Sequence, residues 1–275
     1  MSDHSSITPQ LRVVYTDQLL PHEDHDPQRL APLVAQLARS SHLINPPIVG
    51  ALEDANQTQK YVILDGANRW RAFCELGFPH ILVQVIDLNS EQLRLETWNH
   101  VLVNCAETEL IQKLKEIPQL AMAEGERAFA LAHMVFRDAP ILALSSPLQT
   151  TREHNATLRQ IVHCFIAHAT LFRTALLEPE DVWQQFPEAQ AIIFYAHLNA
   201  SDVQQAALRG AHLPPGVSRH IILGRAIRVN YPLQLLLDGG LTIEQKNANL
   251  QFWIQEKLKR RQLRFYAEST YIFDE

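Results

Sequence analysis

Two short stretches of the chain carry residue types arranged for chemistry. The first runs from Tyr61 to Gly77, YVILDGANRWRAFCELG. Its apolar start, Tyr61-Val62-Ile63-Leu64, is partly β-branched and predicts a strand covered on both faces. Asp65-Gly66 breaks the run. Trp70, Phe73, Cys74 and Leu76 then recur at helical spacing, and Gly77 supplies the stop. A helix that starts straight after such a turn presents unpaired N–H groups, which favours an anion, most commonly phosphate. Asp65 alone would be explained as a cap. Arg69 and Arg71 lie in the first turns, where the helix dipole disfavours cations, and an anionic ligand would relieve that conflict. The second stretch is the loop His22-Glu23-Asp24-His25-Asp26, dense in ionisable groups. Its composition suggests metal ligands. However, five consecutive residues cannot converge on one ion without a sharp turn, and zinc sites draw on separated ligand pairs. The loop therefore reads as solvated or catalytic, not as a transition-metal site.

The elements around these stretches follow from periodicity. Leu11 to Tyr15 predicts a first strand. Asp26-Pro27 predicts a helix start with Asp26 as N-cap, followed by Leu30, Leu33, Val34 and Leu37 on one face. Asn45-Pro46-Pro47 stops it, Ile48-Val49 begins another strand, and Glu53 to Gln59 reads as a hairpin-like polar connection. Ile81 to Ile86 is a further strand, so the chain to about residue 90 reads as a compact α/β unit. Beyond it, Glu109 to Ile117, Glu126 to Phe136, Thr157 to Leu176 and Val203 to Ala211 look mostly helical. Pro140 to Leu144 and Ala191 to Tyr195 are short strand candidates. Arg219 to Val229 fits strand or helix. Ile243 to Arg261 is an amphipathic helix, and the aromatic tail YAESTYIFDE is expected to pack on the body. These features divide the chain into an N-terminal tail (1–10), an α/β domain (11–100) and a mainly helical C-terminal portion (101–275).

The chain has 275 residues, 47% of them hydrophobic and 20% charged, which is ordinary for a soluble globular protein. A net charge of −6 argues against a general nucleic-acid-coating surface. Three widely spaced cysteines suggest a reducing compartment. With no signal peptide and no apolar run long enough to span a bilayer, a cytoplasmic protein is expected. Gly125-Glu126-Arg127 is discounted as a phosphate turn because no strand precedes it.

The order strand, Asp-Gly-x-x-Arg, helix, Leu-Gly and a Val/Ile strand resembles the ParB/sulfiredoxin-like superfamily. Within it, the chain is most similar to free L-serine kinases, of the siderophore-pathway and archaeal types. Pro21-His22-Glu23-Asp24 resembles their Pro-His-Glu-Glu loop, Asp65-Gly66-Ala67-Asn68-Arg69 their phosphate turn, and Trp98 a tryptophan of their serine pocket. Leu213 to Leu236 and the closing YAESTYIFDE resemble their C-terminal region. The resemblance implies a mixed-sheet α/β fold and phosphoryl transfer from ATP or ADP to L-serine, with Mg²⁺ held mainly by the nucleotide. Glu23 would be the catalytic base, Asp65 a second catalytic residue, and Asp65, Gly66, Ala67, Asn68 and Arg69 the nucleotide contacts. Trp98, Ser218, Arg219 and His220 would surround the substrate, with Arg225, Arg228 and Asn230 next in line. Asn68 stands where the family carries histidine; it can donate a hydrogen bond to phosphate but carries no charge. A sulfiredoxin needs cysteine in the turn, where Ala67 stands. The alternative is a ParB-like nucleotide-dependent DNA-binding or regulatory protein. Its basic surface would have to come from Lys257-Leu258-Lys259-Arg260-Arg261, a run that also complements the end of a helix.

Overall fold

A computed structural model describes residues 9–25, 27–52, 59–147 and 150–265. The expected N-cap Asp26, most of the polar connection at 53–59, the start of the N-terminal tail and the closing YAESTYIFDE lie outside the described residues. The first part of the chain forms β1 (Gln10–Tyr15), β2 (Leu19–Pro21), α1 (Pro27–Arg39), β3 (His42–Leu43), β4 (Ile48–Leu52), β5 (Lys60–Asp65), α2 (Ala67–Glu75) and β6 (His80–Ile86). Five of the strands make one sheet in the order β1-β6-β4-β5-β2. The sheet is mixed: β6 runs parallel to β4, and β2 parallel to β5, while the other neighbours are antiparallel. This is the mixed α/β class expected from the sequence.

The alternation of β5 places it between two cores. Tyr61 and Ile63 join Phe73 of α2 and Ile81 in one cluster, and Val62 and Leu64 join Ile48 and Ile86 in the other. Successive side chains of a strand point to opposite faces, so an unbroken apolar run fits only a strand covered twice.

The rest of the chain forms β7 (Leu93–Thr97), β8 (Asn99–Val103), α3 (Glu107–Lys115), β9 (Ala121–Glu124), β10 (Ala132–Phe136), β11 (Leu142–Ser145), α4 (Thr151–His168), β12 (Thr170–Thr174), α5 (Pro179–Gln185), β13 (Ala191–Tyr195), α6 (Ala200–Leu208), β14 (Ser218–Ile222), β15 (Tyr231–Pro232), α7 (Gln234–Leu237) and α8 (Ile243–Lys259). Helices are present at the expected α3, α4, α6 and α8, but they share this region with a six-stranded antiparallel sheet ordered β12-β8-β13-β10-β11-β9. Glu126 to Phe136 is not helical. Gly125 has φ +81, a turn joins Ala130 to Arg127, and β10 follows with Ala132, Met134 and Phe136 buried alternately. Its period of two lies in only five residues, too few to stand out against the apolar residues before it. The helix expected to reach Leu176 ends at His168, and β12 takes up the next residues.

The end of the chain returns to its beginning. β14 pairs with β7, and β15 with β3. Tyr231, Leu236, Leu250 and Ile254 complete the core shared by Tyr61 and Phe73. On the free edge of β1, the Asn247 amide donates to the Val13 carbonyl at 2.8 Å and accepts from its N–H at 3.0 Å, as a neighbouring strand would. Buried Asn155 of α4 donates to the Ala211 carbonyl at 2.6 Å, fastening the segment that leads into residues 212–218. Among the described residues no helix is long and apolar enough to cross a membrane. Asn155→Ala is expected to lower unfolding stability by about 1–3 kcal/mol, the cost of orphaning a buried polar group, read as an earlier midpoint in chemical denaturation.

Candidate active site

The turn between β5 and α2 has the geometry of an anion site. Gly66 occupies the N-cap position with φ +94, a left-handed conformation that suits glycine, and no side chain caps the helix. A side chain at Gly66 would also press on Pro47 and the Arg69 guanidinium at 3.1–3.2 Å. The cap is therefore Gly66 and not Asp65. The Asp65 carboxylate instead meets Arg225 at 2.6 Å and Arg69 at 3.5 Å. Arg69 also donates to the carbonyls of Asn45 at 2.8 Å and Pro46 at 3.2 Å. Burial works against its charge, and the neighbouring Asp65 restores part of it. Arg71 faces away and pairs with Glu75 at 3.5 Å. The second cation of the turn is thus Arg225, supplied from beyond β14.

The loop carrying Arg225 is clamped from below. Gln84 of β6 is buried, donates to the Gly224 carbonyl at 3.0 Å and accepts from the Ala226 N–H at 2.8 Å. Farther along, the Arg228 N–H bonds the Asn45 side chain at 2.8 Å and the Asn230 N–H the Ile44 carbonyl at 3.3 Å. Arg228 and Asn230 both have positive φ, so their backbones brace the turn.

Glu23 stands beside this turn and is held by the far end of the chain. Residues 22–24 bridge to Leu213 through the Asp24 N–H at 2.9 Å and the Leu213 N–H at 2.8 Å. The Glu23 carboxylate then accepts from the Gly216 N–H, from the Ser218 N–H at 3.2 Å and from the Ser218 hydroxyl. Burial raises the Glu23 pKa above the ordinary glutamate range, and these bonds offset only part of the rise. Asp24 shifts the other way, chiefly through its 2.9 Å bond to His212.

The hydrogen bonds around Glu23 form a chain with a definite proton count. His22 is buried, and desolvation lowers its pKa to about 3, with His220 a further cause. It is therefore neutral near pH 7. Its Nδ1 lies 2.6 Å from the Ile63 carbonyl and must donate, so its Nε2 must accept. Ser218 Oγ lies 2.9 Å from that Nε2 and also touches Glu23. One hydroxyl proton cannot serve two acceptors. When Glu23 is protonated, every partner is satisfied: Glu23 donates to Ser218, Ser218 to His22, and His22 to Ile63. The network can therefore take up a proton at Glu23 without losing a partner.

The surrounding walls come from both sheets. Trp98, between β7 and β8, donates its N–H to Val217 at 2.8 Å. Arg219 lies over the Trp98 ring at 4.8 Å and pairs with Glu96 at 2.6 Å. His220 packs edge-on against His22, bonds the Leu64 carbonyl, and is held to a pKa of about 4 by burial. Its Nε2 is buried and has no partner among the described residues. Buried His100 links the Gly216 carbonyl at 3.1 Å to the Tyr195 hydroxyl at 2.6 Å. The Arg173 guanidinium lies over Gly216, where a side chain would collide with it.

This architecture has known counterparts. No protein-family model matches the chain. It is 22% identical to the ATP-dependent L-serine kinase SbnI of Staphylococcus aureus, over 96% of this chain and 97% of that protein. The chain is similar to free L-serine kinases along almost its whole length. A second relative, the ATP-dependent L-serine kinase of Staphylothermus marinus, is 31% identical over 104 residues, 38% of this chain and 40% of that protein. Among solved structures, C-terminally truncated SbnI superimposes with a TM-score of 0.69 at 21% identity, covering 91% of this chain and 97% of that one. A free serine kinase in complex with AMP gives 0.69 at 17% identity, covering 82% and 93%. The fold is shared with these proteins.

The residues singled out from the sequence fall into two adjoining groups. Asp65, Gly66, Ala67, Asn68 and Arg69 form the turn with Arg225. Glu23, Ser218, Trp98, Arg219 and His220 form the second group. Sequence reasoning did not single out His100, Arg173, Tyr195, Gly216 or Gln84 for the site. A polar residue inside an apolar strand, as in Asn99–Val103 and His80–Ile86, was the available signal for His100 and Gln84. Arg173 carries no such mark.

Glu23 ionises at a higher pH in the folded chain than in the unfolded one. Its contribution to stability is therefore present below the ordinary glutamate range and is lost as pH rises through the raised value. In thermal melts from about pH 4 to 8, the stability of the parent relative to Glu23→Gln, whose amide nitrogen cannot accept from a backbone N–H, is expected to be greatest at the acid end and to fall as pH rises.

Proposed function

We propose that the chain is a free L-serine kinase, transferring a phosphoryl group from ATP or ADP to the serine hydroxyl to give O-phospho-L-serine. The observation that carries this reading is the Glu23 carboxylate. It is raised by burial and set beside an anion-binding turn, in a chain similar end to end to a curated serine kinase. Residues 11–100 act as the nucleotide-binding unit, and residues 101–275 complete the substrate site.

In the proposed reaction the backbone N–H groups at the start of α2, at Ala67, Asn68 and Arg69, with Arg225, hold the phosphates. The serine oxygen attacks phosphorus in line as the bond to the bridging nucleotide oxygen breaks. The hydroxyl proton passes to Glu23, whose pKa burial raises above that of an exposed glutamate. The Ser218 hydroxyl can then turn from Glu23 toward His22, so the protonated base keeps all its partners. Trp98 and Arg219 wall the serine pocket, and His220 offers a lone pair that lacks a donor. Among the described residues no three His, Cys, Asp or Glu side chains are grouped to hold a metal. Asp65 is the hard oxygen donor at the turn that fits Mg²⁺, and nucleotide oxygens would fill most of its shell. When bound, the ion would neutralise charge on the phosphates. The three free cysteines suit a reducing cytoplasm.

The DNA-binding alternative loses support at α8. Glu256 engages Lys259 and Arg260, and Lys257 lies over Trp253, leaving little of the basic run for phosphates.

Incubation with L-serine, Mg²⁺ and ATP or ADP is expected to yield phosphoserine by mass spectrometry; no product with either nucleotide overturns the reading. Glu23→Gln should lower kcat by about 10²–10⁴, the range for loss of a general base, while nucleotide still binds. Ser218→Ala removes the strongest of the bonds that hold the Glu23 pKa down. Its pH–rate profile should therefore keep its shape with the acid limb moved to higher pH.

A further inference from the structure

We propose that Arg173 is the group that binds the carboxylate of the amino-acid acceptor. The inference rests on the kinase reading and names a contact within it. Two arginines adjoin the segment that holds Glu23, Arg173 over Gly216 and Arg219 next to Ser218, and only the first is available. Arg219 is occupied: its guanidinium pairs with Glu96 at 2.6 Å and lies on the Trp98 ring. Arg173, at an exposed position of β12, has no carboxylate partner among the described residues. Among the described residues its guanidinium has one hydrogen bond, to the Pro215 carbonyl at 3.3 Å, at the edge of bonding distance.

Its placement is built rather than incidental. Arg173 pairs in register with His100, and His100 holds the Gly216 carbonyl. The guanidinium then lies over Gly216, in space that only glycine leaves open, while the Gly216 N–H on the same peptide segment grips Glu23. Arg173 is therefore a cation whose field reaches the proposed base. The contacts run from the phosphate turn through β5, His22 and Ser218 to Glu23, and on through Gly216 to Arg173. A small acceptor with its hydroxyl at Glu23 has the phosphate turn on one side and Arg173 on the other. The charge that the turn handles is phosphate, so the anion at Arg173 is the acceptor's own. A guanidinium fork matches a carboxylate with two parallel bonds, which an ammonium cannot reproduce. The acceptor class is thus a free α-amino acid carrying a short hydroxyl side chain, rather than an amino alcohol or a peptide-linked serine.

The test compares L-serine with L-serinamide, which keeps the hydroxyl and amine but lacks the carboxylate. Arg173→Gln is expected to raise the KM for serine about ten- to a hundredfold, the range for a lost charged hydrogen bond. The KM for nucleotide should stay close to the parent value, and the preference for serine over serinamide should collapse. Arg173→Lys should lie between the two. A variant that keeps both the parent KM and the parent discrimination overturns the proposal while leaving the kinase reading intact. Calorimetric titration of serine and serinamide into the parent and Arg173→Gln reads the same contact without turnover. Serine binding that depends on the carboxylate in the parent and not in the variant supports the proposal even if no phosphoserine forms, a result that sinks only the kinase reading. Carboxylate-independent binding in the parent, or no binding, overturns the proposal.

Discussion

The site depends on one half-buried carboxylate and the three donors that hold it. Burying an ionisable group costs free energy unless it is hydrogen-bonded or neutralised. Glu23 meets the first condition through a single segment, Gly216 to Ser218, which lies 193 and 195 residues away in sequence. The architecture serves that junction. The mixed sheet places His22 against Ile63 and sets the phosphate turn at the end of β5. The antiparallel sheet brings β8 and β12 together so that His100 and Arg173 bracket Gly216. Leu213 locks the two loops by a strand-like bridge, and Asn155 secures the approach to it.

Glycine has two roles at this junction. Gly216 has φ +82, and a side chain there would also occupy the space of the Arg173 guanidinium. Gly66 repeats the pattern on the phosphate side, with positive φ and Pro47 and Arg69 crowding it. At Gly216 a backbone N–H reaches the Glu23 carboxylate, and at Gly66 the same freedom leaves the N–H groups of the proposed phosphate site uncovered.

Local patterns were legible in the sequence, and distant pairings were not. The β5-turn-α2 unit could be read because its signals lie within seventeen consecutive residues: a doubly buried strand, a glycine at the turn and a helical apolar face. α8 was legible for the same reason, with its capping box at Thr242 and Gln245. Of the six-stranded sheet, Pro140 to Leu144 and Ala191 to Tyr195 were legible as strand candidates and match β11 and β13, whereas the other strands, four or five residues long, resemble helical apolar stretches. Glu23 was found through resemblance to a family, since its environment comes entirely from the other end of the chain. Arg69 was expected to point at a ligand, yet it turns back to Asn45 and Asp65. Its intended neighbour Arg71 is replaced by Arg225, because ion pairing across 160 residues leaves no trace in local spacing. Asn45-Pro46-Pro47, read as a helix stop, proves to be the floor beneath the turn.

The span between Glu23 and its holders also bears on how the protein comes into being. An N-terminal segment leaves the ribosome long before residue 218 does. Until that residue arrives, Glu23 is an ordinary glutamate in water, ionised and weakly basic, and Asp65 lacks Arg225. A nascent chain can thus carry Glu23 and the β5–α2 turn before either has its partners. On the kinase reading, the site's chemistry would be acquired in one late closure instead of being built up segment by segment.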